Sequence, residues 1–400
     1  MTSSFDPALA VAAQEMKGQL VAWRRDLHRH PELAFQEHRT AGLVAGSLAQ
    51  LGLEVQTGVG QTGVVGILEG ARPGPTVLLR FDMDALPINE ETGLTYKSEV
   101  AGKMHACGHD AHTAIGLGVA TLLASRQDDL PGRVKFMFQP AEEIAGGARA
   151  MIADGVLETP VPDAAFGLHV WSMTAVGQAV VKGGPLWASA DKFDVEITGR
   201  GAHGALPHQG VDAIVVAAHA ITQLQTVVSR SIDPLEPAVL SIGEISGGSA
   251  FNVIAERVMF SGTLRTFDQA VRELIIQRMH KVLGGVCAAF GASYALDISF
   301  HAPPLVNDPD AAEHVRRIAA EILGAEAVAD GPMLTVAEDM AEILNRVPGC
   351  FFVLGAMPDR NGLPAEPHHS PRFEIDEQVM PLGVAILAGV AEEYLRRRRW

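Results

Sequence analysis

The sequence predicts an α/β fold of two domains, in which a helix-flanked mixed sheet carries an inserted ferredoxin-like α+β domain. Its 400 residues, 48% of them hydrophobic, exceed what a single hydrophobic core usually organises. Helical and strand patterns alternate in the outer parts of the chain, which is typical of a sheet flanked by helices. Between them lies a β-α-β-β-α-β order that can close its own two-layer sandwich.

The first α/β stretch begins with apolar residues at helical spacing from Pro7 to Gly52, interrupted by Pro31. The segment "TVLLRFDMDALP" then predicts a buried strand that ends in acidic residues. A helix over Asp110 to Ser125, the β-rich run "RVKFMFQPAEE", a helix in "GGARAMIADGV" and a short strand "AAFGLHV" follow. Helix and strand therefore alternate up to the middle of the chain.

The pattern changes after "KGGPLWASA". Strands are predicted in "DKFDVEITGRG", "AVLSIGEISGG", "RVMFSGTLRTF" and "YALDISF", and helices in "GVDAIVVAAHAITQLQTVVSR" and from Gln269 to Phe290. An α/β pattern resumes with a helix over Asp310 to Leu323, the strand "CFFVLG" and a terminal helix from Asp376. We therefore predict an inserted domain at 188–300 within a discontinuous domain of residues 1–187 and 301–400.

Composition limits the partners and the compartment. A formal charge of -16 opposes binding to phosphate backbones, so no nucleic acid partner is expected. The sequence has no run of eighteen apolar residues and no basic leader, so we expect neither a membrane span nor export. The three cysteines, Cys107, Cys287 and Cys350, are an odd number that suits a reducing compartment, and the cytoplasm is the expected location.

The stretch "KMHACGHDAHT" contains the first candidate metal ligands. Cys107 and His109 are separated by one residue, which lets both side chains face one side of the backbone in a loop. A thiolate and an imidazole together suit zinc or another divalent transition metal. The same pair could also be a packed cysteine beside a helix cap, so further ligands are needed.

Those ligands follow the ends of predicted strands, where open α/β sheets collect functional side chains. They are Glu142 and Glu143 in "QPAEE", His169 in "GLHVW", and His368 and His369 in "EPHHSPRF". Together with Cys107 and His109 they are sufficient for a two-metal site that activates water. Adjacent glutamates can be a solvated turn, but at such a site one would bind metal while the other remained a free base.

Three aspartates near these residues could support the ligands or cap the backbone. Asp82 and Asp84 are two apart at a strand end and face the same way. Asp84 could support a ligand histidine through a hydrogen bond, or either aspartate could cap a turn. Asp110 could orient a ligand histidine or cap the following helix.

Eight motifs in order resemble the M20 metallopeptidase family, specifically its amidohydrolase branch of hippurate hydrolases, N-acyl-amino-acid amidohydrolases and auxin-conjugate hydrolases. They are "RFDMDALPINEE", "HACGHDAHT", "QPAEE", "GLHVW", "GAHGALPHQGVDAI", "FNVIAE", "GTLRTFD" and "HHSPRF". The resemblance covers nearly the whole chain. It implies a metallohydrolase catalytic domain and an inserted domain that serves as lid and dimerisation surface.

The resemblance also implies roles for particular residues. Two divalent ions, of zinc, manganese, cobalt or nickel, would be bound by Cys107, His109, Glu143, His169 and His369. Glu142 would be the catalytic base. From the inserted domain, His203 would stabilise the oxyanion in a neighbouring active site, and Asn252 and Arg265 would hold the substrate carboxylate.

One segment departs from the family. The branch usually has S-E-D-F where this chain has Ala337-Glu338-Asp339-Met340, and the change affects the expected substrate rather than the hydrolytic chemistry. We therefore expect a homodimeric or tetrameric amidohydrolase that cleaves N-acyl amino acids, either hippurate-like or N-acetyl, to a carboxylic acid and a free amino acid. A dipeptidase or carboxypeptidase, or a non-catalytic binding protein on the same fold, are the alternatives.

Overall fold

The computed structural model describes residues 5–360 and 364–397. The chain divides into two compact units. Unit 1 consists of Met1–Gly184, Val306–Pro332 and Asp339–Trp400, and unit 2 consists of Pro185–Leu305 and Met333–Glu338. The predicted division placed all of 301–400 in the outer domain, whereas the structure groups Met333–Glu338 with unit 2. The lid and dimerisation roles stay predictions.

The helices and strands of the described residues are numbered in chain order. The helices are α1 Pro7–Glu15, α2 Lys17–Arg29, α3 His38–Gln50, α4 His109–Ala124, α5 Gly147–Ala153, α6 Ala213–Ser231, α7 Gln269–Phe290, α8 Pro309–Leu323, α9 Met340–Leu344 and α10 Val379–Arg397. The strands are β1 Glu54–Val59, β2 Gly63–Glu69, β3 Arg72–Asp82, β4 Pro131–Gln139, β5 Ala164–Ala175, β6 Ala179–Val180, β7 Gly184–Trp187, β8 Ala190–Thr198, β9 Ala202–His203, β10 Ala238–Gly247, β11 Val253–Ile254, β12 Arg257–Thr266, β13 Ser293–Ala302, β14 Leu305–Asn307, β15 Val328–Ala329 and β16 Gly349–Met357.

Unit 1 is built on a mixed eight-stranded sheet with the order β1-β2-β4-β3-β5-β16-β6-β15. Its centre, β4-β3-β5-β16, is parallel, and such strands are apolar because helices cover both faces. The predicted α/β class with a mixed sheet is therefore confirmed. Because neighbouring parallel strands end at the same edge, the residues that follow β3 and β4 are brought close to β5.

Two helices of unit 1 are buried along most of their length. All but two residues of α4 are buried, and α10 is buried from Val379 to Tyr394 except for Leu382. Both belong to one apolar core with the central strands. Despite this apolar character, no helix within the described residues is long and apolar enough to cross a membrane.

Some elements differ from the sequence prediction. The hairpin of β1 and β2 was not predicted, because β1 is largely exposed and glycines at 58 and 60 interrupt the pattern with positive φ angles. Strand β5 continues to Ala175, well beyond "AAFGLHV". Helix α10 begins at Val379 rather than at Asp376, whose carboxylate instead accepts a hydrogen bond from the backbone N–H of Gln378.

Unit 2 contains a four-stranded antiparallel sheet with the order β10-β12-β8-β13. Its strands and helices follow one another as β8-α6-β10-β12-α7-β13, the order predicted for a ferredoxin-like unit. Asp212 and Asp268 cap the starts of α6 and α7 by accepting backbone N–H bonds. Both helices contribute to a separate apolar core with the sheet, so the predicted inserted α+β fold is confirmed.

Candidate metal centre

The backbone of unit 1 gathers the predicted site residues at one edge of the sheet. Strand β3 ends at Asp82, and β4 ends at Gln139, just before the loop that carries Glu142 and Glu143. His169 lies within β5, and His109 is the first residue of α4. The structure therefore brings residues that are far apart in sequence to the ends of neighbouring strands.

The candidate donor atoms form overlapping groups. In each group the donor atoms lie within 4.8 Å of one another. Three of the groups contain the predicted residues: Cys107, His109 and His169; Cys107, Glu143 and His369; and His109, Glu142 and Glu143. All five predicted ligands and the predicted base thus belong to one connected cluster.

His109 is oriented so that one ring nitrogen faces the carboxylates. Its Nδ1 donates to the backbone carbonyl of Asp84 at 2.9 Å. Its Nε2 lies 3.6 Å from Asp82, 3.9 Å from Glu143 and 4.0 Å from Glu142. Although burial lowers the pKa of His109, the charges of Asp82 and Asp84 outweigh it and raise that pKa to about 10. The carboxylates thus favour positive charge at this place.

Cys107 lies close to two histidines of the cluster. Its Sγ is 3.5 Å from Nε2 of His169 and 3.6 Å from Nδ1 of His368. Nδ1 of His169 contacts the Val170 carbonyl at 2.7 Å, which assigns the proton to that nitrogen. Burial lowers the pKa of His368 to about 3 and, with neighbouring histidines, holds the pKa of His169 well below its usual range. Both rings are therefore neutral.

The two adjacent histidines near the C-terminus have different surroundings. His369 Nε2 lies 3.3 Å from Oε2 of Glu143, and the His369 side chain is 54% exposed. His368 stacks on Trp171 with ring centroids 4.4 Å apart, and its Nε2 accepts the N–H of Ser172 at 3.2 Å. The predicted ligand, His369, is thus the one whose ring faces the glutamate.

These residues fit a divalent transition metal. Thiolate, imidazole and carboxylate donors converge, a combination that zinc and related ions accept. Within the described part of the chain, the buried Nε2 of His109 and Oε1 of Glu143 have no hydrogen-bond partner. Buried polar atoms rarely remain unpaired without an ion or water to satisfy them. The individual ligand assignments stay a prediction.

Asp84 holds the glutamate loop and the ligand histidine together. Its two carboxylate oxygens accept the backbone N–H groups of Glu142 and Glu143, each at 3.0 Å. Its carbonyl oxygen is the acceptor for His109. Asp84 therefore fixes the glutamate loop through its carboxylate and orients His109 through its backbone carbonyl, while its role as support for a metal ligand stays a prediction.

Asp110 takes neither of the two roles considered from the sequence. Helix α4 has Gly108 at its N-cap and no side-chain capping bond. The Asp110 carboxylate instead accepts from Arg24 Nε at 3.0 Å and contacts His28 Nδ1 at 2.8 Å. Although burial opposes it, Arg24 and His28 hold the pKa of Asp110 well below its usual range. Asp110 thus ties α4 to α2.

A buried arginine that the sequence analysis overlooked organises the sheet edge. Arg80 donates to Gln139 at 2.9 Å, to Asp82 at 2.6 Å and to Asp339 at 2.9 Å. Asp82 in turn contacts Nδ1 of His112 at 2.6 Å. An arginine inside the apolar run "TVLLRFD" was the available signal, because a buried guanidinium needs carboxylate partners. Asp339 belongs to the departing segment noted in the sequence.

The three predicted residues of the inserted domain lie in unit 2. His203 in β9 pairs with Val253 in β11, and its Nδ1 accepts the N–H of Ala205 at 3.0 Å. The Asn252 carbonyl accepts the N–H of Gly204 at 2.8 Å, so His203 and Asn252 are neighbours. Arg265 lies in β12, where its guanidinium donates to the Leu264 carbonyl at 3.0 Å. Their substrate-binding roles stay predictions.

Replacing Gly147 by alanine is expected to disrupt the glutamate loop. A Cβ at this position would lie 1.6 Å from the backbone carbonyl oxygen of Pro140, which a rigid strand end cannot move aside. We expect a loss of at least about 2 kcal/mol in the free energy of unfolding and reduced metal content. Gly146→Ala is the control, since its Cβ would meet only side-chain atoms of Phe35 and Ile144, the nearest at 3.4 Å. Equal effects in both variants would contradict the prediction.

Comparison with known proteins agrees with the geometry. The model of peptidase family M20/M25/M40 matches residues 78–393. An N-acetyl-L-cysteine deacetylase of Bacillus subtilis (strain 168) is 43% identical over 364 residues, 90% of this chain and 85% of the relative. An N-acyl-L-amino acid amidohydrolase of Geobacillus stearothermophilus is 43% identical over 294 residues, 73% of this chain and 79% of the relative.

A solved structure extends the likeness to nearly the whole chain. The Bacillus subtilis YXEP protein, described as a dinuclear metal binding peptidase from the M20 family, has a TM-score of 0.84 and 35% identity, and covers 96% of this chain and 99% of its own. Fold and site thus define a metal-binding hydrolase. This chain belongs to peptidase family M20/M25/M40, in its amidohydrolase branch.

Proposed function

We propose that this protein cleaves the amide bond of N-acyl amino acids, releasing a carboxylic acid and a free amino acid. The observation that carries the proposal is the position of Glu142. Its carboxylate lies beside the donor atoms of His109 and Glu143, and it directly precedes Glu143 in the same loop. The names of the two 43% identical relatives, both of which act on acylated amino acids, support the same substrate class.

In this proposal two divalent ions occupy the cluster. Cys107, His109, Glu143, His169 and His369 would hold them, and zinc, manganese, cobalt and nickel are all compatible with the donor set. When bound, the ions would lower the pKa of water and polarise the amide carbonyl. The dinuclear metal binding described for the B. subtilis relative supports the number of ions.

The protein's own residues move the protons. Glu142 takes a proton from the attacking water as a new C–O bond forms at the amide carbon. It then gives that proton to the nitrogen as the C–N bond breaks, so that the amine leaves neutral. Asp84 fixes the loop while this happens, because both glutamate N–H groups are bonded to its carboxylate.

Three residues of unit 2 would also take part in the reaction. His203 would donate to the oxyanion that develops during attack, in the active site of a neighbouring subunit, and Asn252 and Arg265 would bind the substrate carboxylate. A homodimer, or a tetramer built from dimers, is part of this proposal. The support is the family motif in which each residue stands, together with the pairing of His203 with Val253 and the bond from the Gly204 N–H to the Asn252 carbonyl.

A peptidase is the second candidate, because the similar B. subtilis structure is described as one. A dipeptide differs from an N-acyl amino acid by a free ammonium group. A substrate ammonium would need an acid or a carbonyl group as a partner, in addition to the carboxylates of Asp82, Glu142 and Glu143 that lie near His109. N-acyl substrates, which lack this charge, make no such demand.

Metal-stripped protein reconstituted with one divalent ion at a time tests the proposal. The panel consists of N-acetyl, N-benzoyl and dipeptide substrates, and metal content is measured in parallel. We expect metal-dependent release of free amino acid from the N-acyl compounds, with about two ions bound per chain. Cleavage of the dipeptides alone would favour the peptidase, and two bound ions without cleavage of any substrate would overturn the proposal.

A further inference from the structure

The loop that carries Glu142 is held by a row of backbone hydrogen bonds. The N–H groups of Ala141, Glu142 and Glu143 follow one another, and each donates to a buried carboxylate. Asp84 accepts the second and third bonds. The first, at 2.9 Å, goes to Oε1 of Glu37, a residue 104 positions earlier in the chain.

Glu37 is placed to act as a fixed anchor. Its side chain is wholly buried, and both of its oxygens are used. Oε1 also accepts the N–H of Phe35 at 3.0 Å, while Oε2 accepts the hydroxyl of Thr62 at 2.5 Å. Because Glu37 begins α3 as its N-cap residue, its carboxylate connects the start of that helix to the glutamate loop.

Two residues that donate to Glu37 have a backbone conformation that is unfavourable in isolation. Ala141 has φ 54° and Phe35 has φ 58°, both in the left-handed region that residues with a Cβ rarely occupy. Such angles persist only where the surroundings determine them. The same Oε1 atom accepts the N–H of both residues, so Glu37 is the group that holds them.

A second set of bonds shows how the anchor reaches Glu142. The carbonyl of Ala141 accepts the N–H groups of Gly146 and Gly147, each at 3.1 Å, and the Glu142 carbonyl accepts the N–H of Ala145. The loop therefore closes on Ala141. If Ala141 relaxed to an ordinary φ, the peptide that precedes Glu142 would turn and the Glu142 carboxylate would leave its position.

We propose that Glu37 is a positioning residue for the reaction, which sets the direction of Glu142 through the N–H of Ala141. The inference rests on the proposed role of Glu142 as base. It assigns Glu37 no contact with substrate or metal. Its effect is on the placement of the base, which must lie within hydrogen-bond reach of the proton that it removes.

The test compares two variants of Glu37 with one of Glu32. Glu32 is a matched control, because its carboxylate also accepts two backbone N–H groups, those of Arg39 at 2.9 Å and Thr40 at 2.8 Å, at the start of α3. Glu37→Ala is expected to lower kcat by about a hundredfold, as a misplacement near 1 Å does, with KM changed less than about twofold. Glu37→Gln keeps an acceptor for Ala141 and should restore most of kcat, while Glu32→Ala should lower Tm and leave kcat near that of the wild type.

Hydrogen exchange provides a readout that does not need activity. In Glu37→Ala the amides of residues 141–147 should exchange faster, in Glu37→Gln they should resemble the wild type, and in Glu32→Ala they should be unchanged. If the wild type cleaves no N-acyl substrate, the proposed function fails, but hydrogen exchange still shows whether Glu37 holds the loop. Unchanged exchange in Glu37→Ala, or an equal loss of kcat in Glu32→Ala, would overturn the inference. If Glu37→Ala does not fold, Thr62→Val replaces it in the test, because it removes only the hydroxyl bond to Oε2 of Glu37. We expect it to lower kcat and to speed exchange at residues 141–147 in the same way, but less.

Discussion

Replacing Glu142 by glutamine is expected to reduce turnover by about a thousandfold and to leave the metal content unchanged. Glutamine has nearly the same size and keeps the loop bonds to Asp84, which use backbone N–H groups, but it cannot take a proton from water. Steady-state kinetics on an N-acyl amino acid, with metal analysis of the same sample, measures both quantities.

The neighbouring glutamate provides the control. Glu143→Gln changes the chain in the same way one residue further along, but removes an oxygen that lies 3.3 Å from His369. We expect this variant to lose metal as well as activity. Full activity of Glu142→Gln, or equal metal loss in both variants, would refute the division of roles between the two residues.

Replacing Arg80 by methionine is expected to lower the free energy of unfolding by about 3–5 kcal/mol. Arg80 is 1% exposed and pairs with two carboxylates that are themselves buried, Asp82 and Asp339. Methionine fills part of the space, but it removes the guanidinium that pairs with Asp339 and leaves Asp82 with only its histidine neighbours, His109 and His112. Urea unfolding of the metal-free protein, followed by circular dichroism, gives the change.

An exposed ion pair of the same sheet is the matched control. Arg133 in β4 pairs with Glu69 at 2.6 Å, and both side chains are roughly half exposed. Arg133→Met should cost at most about 1 kcal/mol, because water and salt screen such pairs. A loss for Arg80→Met no larger than that of the control would show that the buried network contributes little to stability.

The parallel centre of the fold was predictable from local sequence. Residues 76–82 in β3 are buried without interruption, so the apolar run that marks such a strand is present in the sequence. The β1–β2 hairpin was harder to detect, because an exposed strand between glycines lacks the apolar pattern. Short runs at a sheet edge carry less of the periodicity on which such predictions depend.

The candidate ligands could be proposed because each stands in a short motif, whereas the residues that position them could not. Glu37 meets Ala141 across 104 residues, and Arg80 meets Asp339 across 259. Neither pairing follows from spacing, since it depends on how the chain folds between the partners. For Asp110 the local sequence was misleading. Its place at the start of a helix favoured a capping role, yet its carboxylate binds Arg24, which is 86 residues away.

The composition of unit 2 has a practical consequence for protein engineering. The segment Met333–Glu338 belongs to this unit. The backbone N–H of Leu334 donates to the Leu186 carbonyl, and the carbonyls of Leu334 and Val336 both accept the N–H of Ala188. Swapping the unit between relatives as a single cassette of 185–305 would separate this short segment from its native partner. A functional chimaera should therefore exchange both pieces together, and shuffling libraries with crossovers only at 184 and 306 should yield fewer stable proteins.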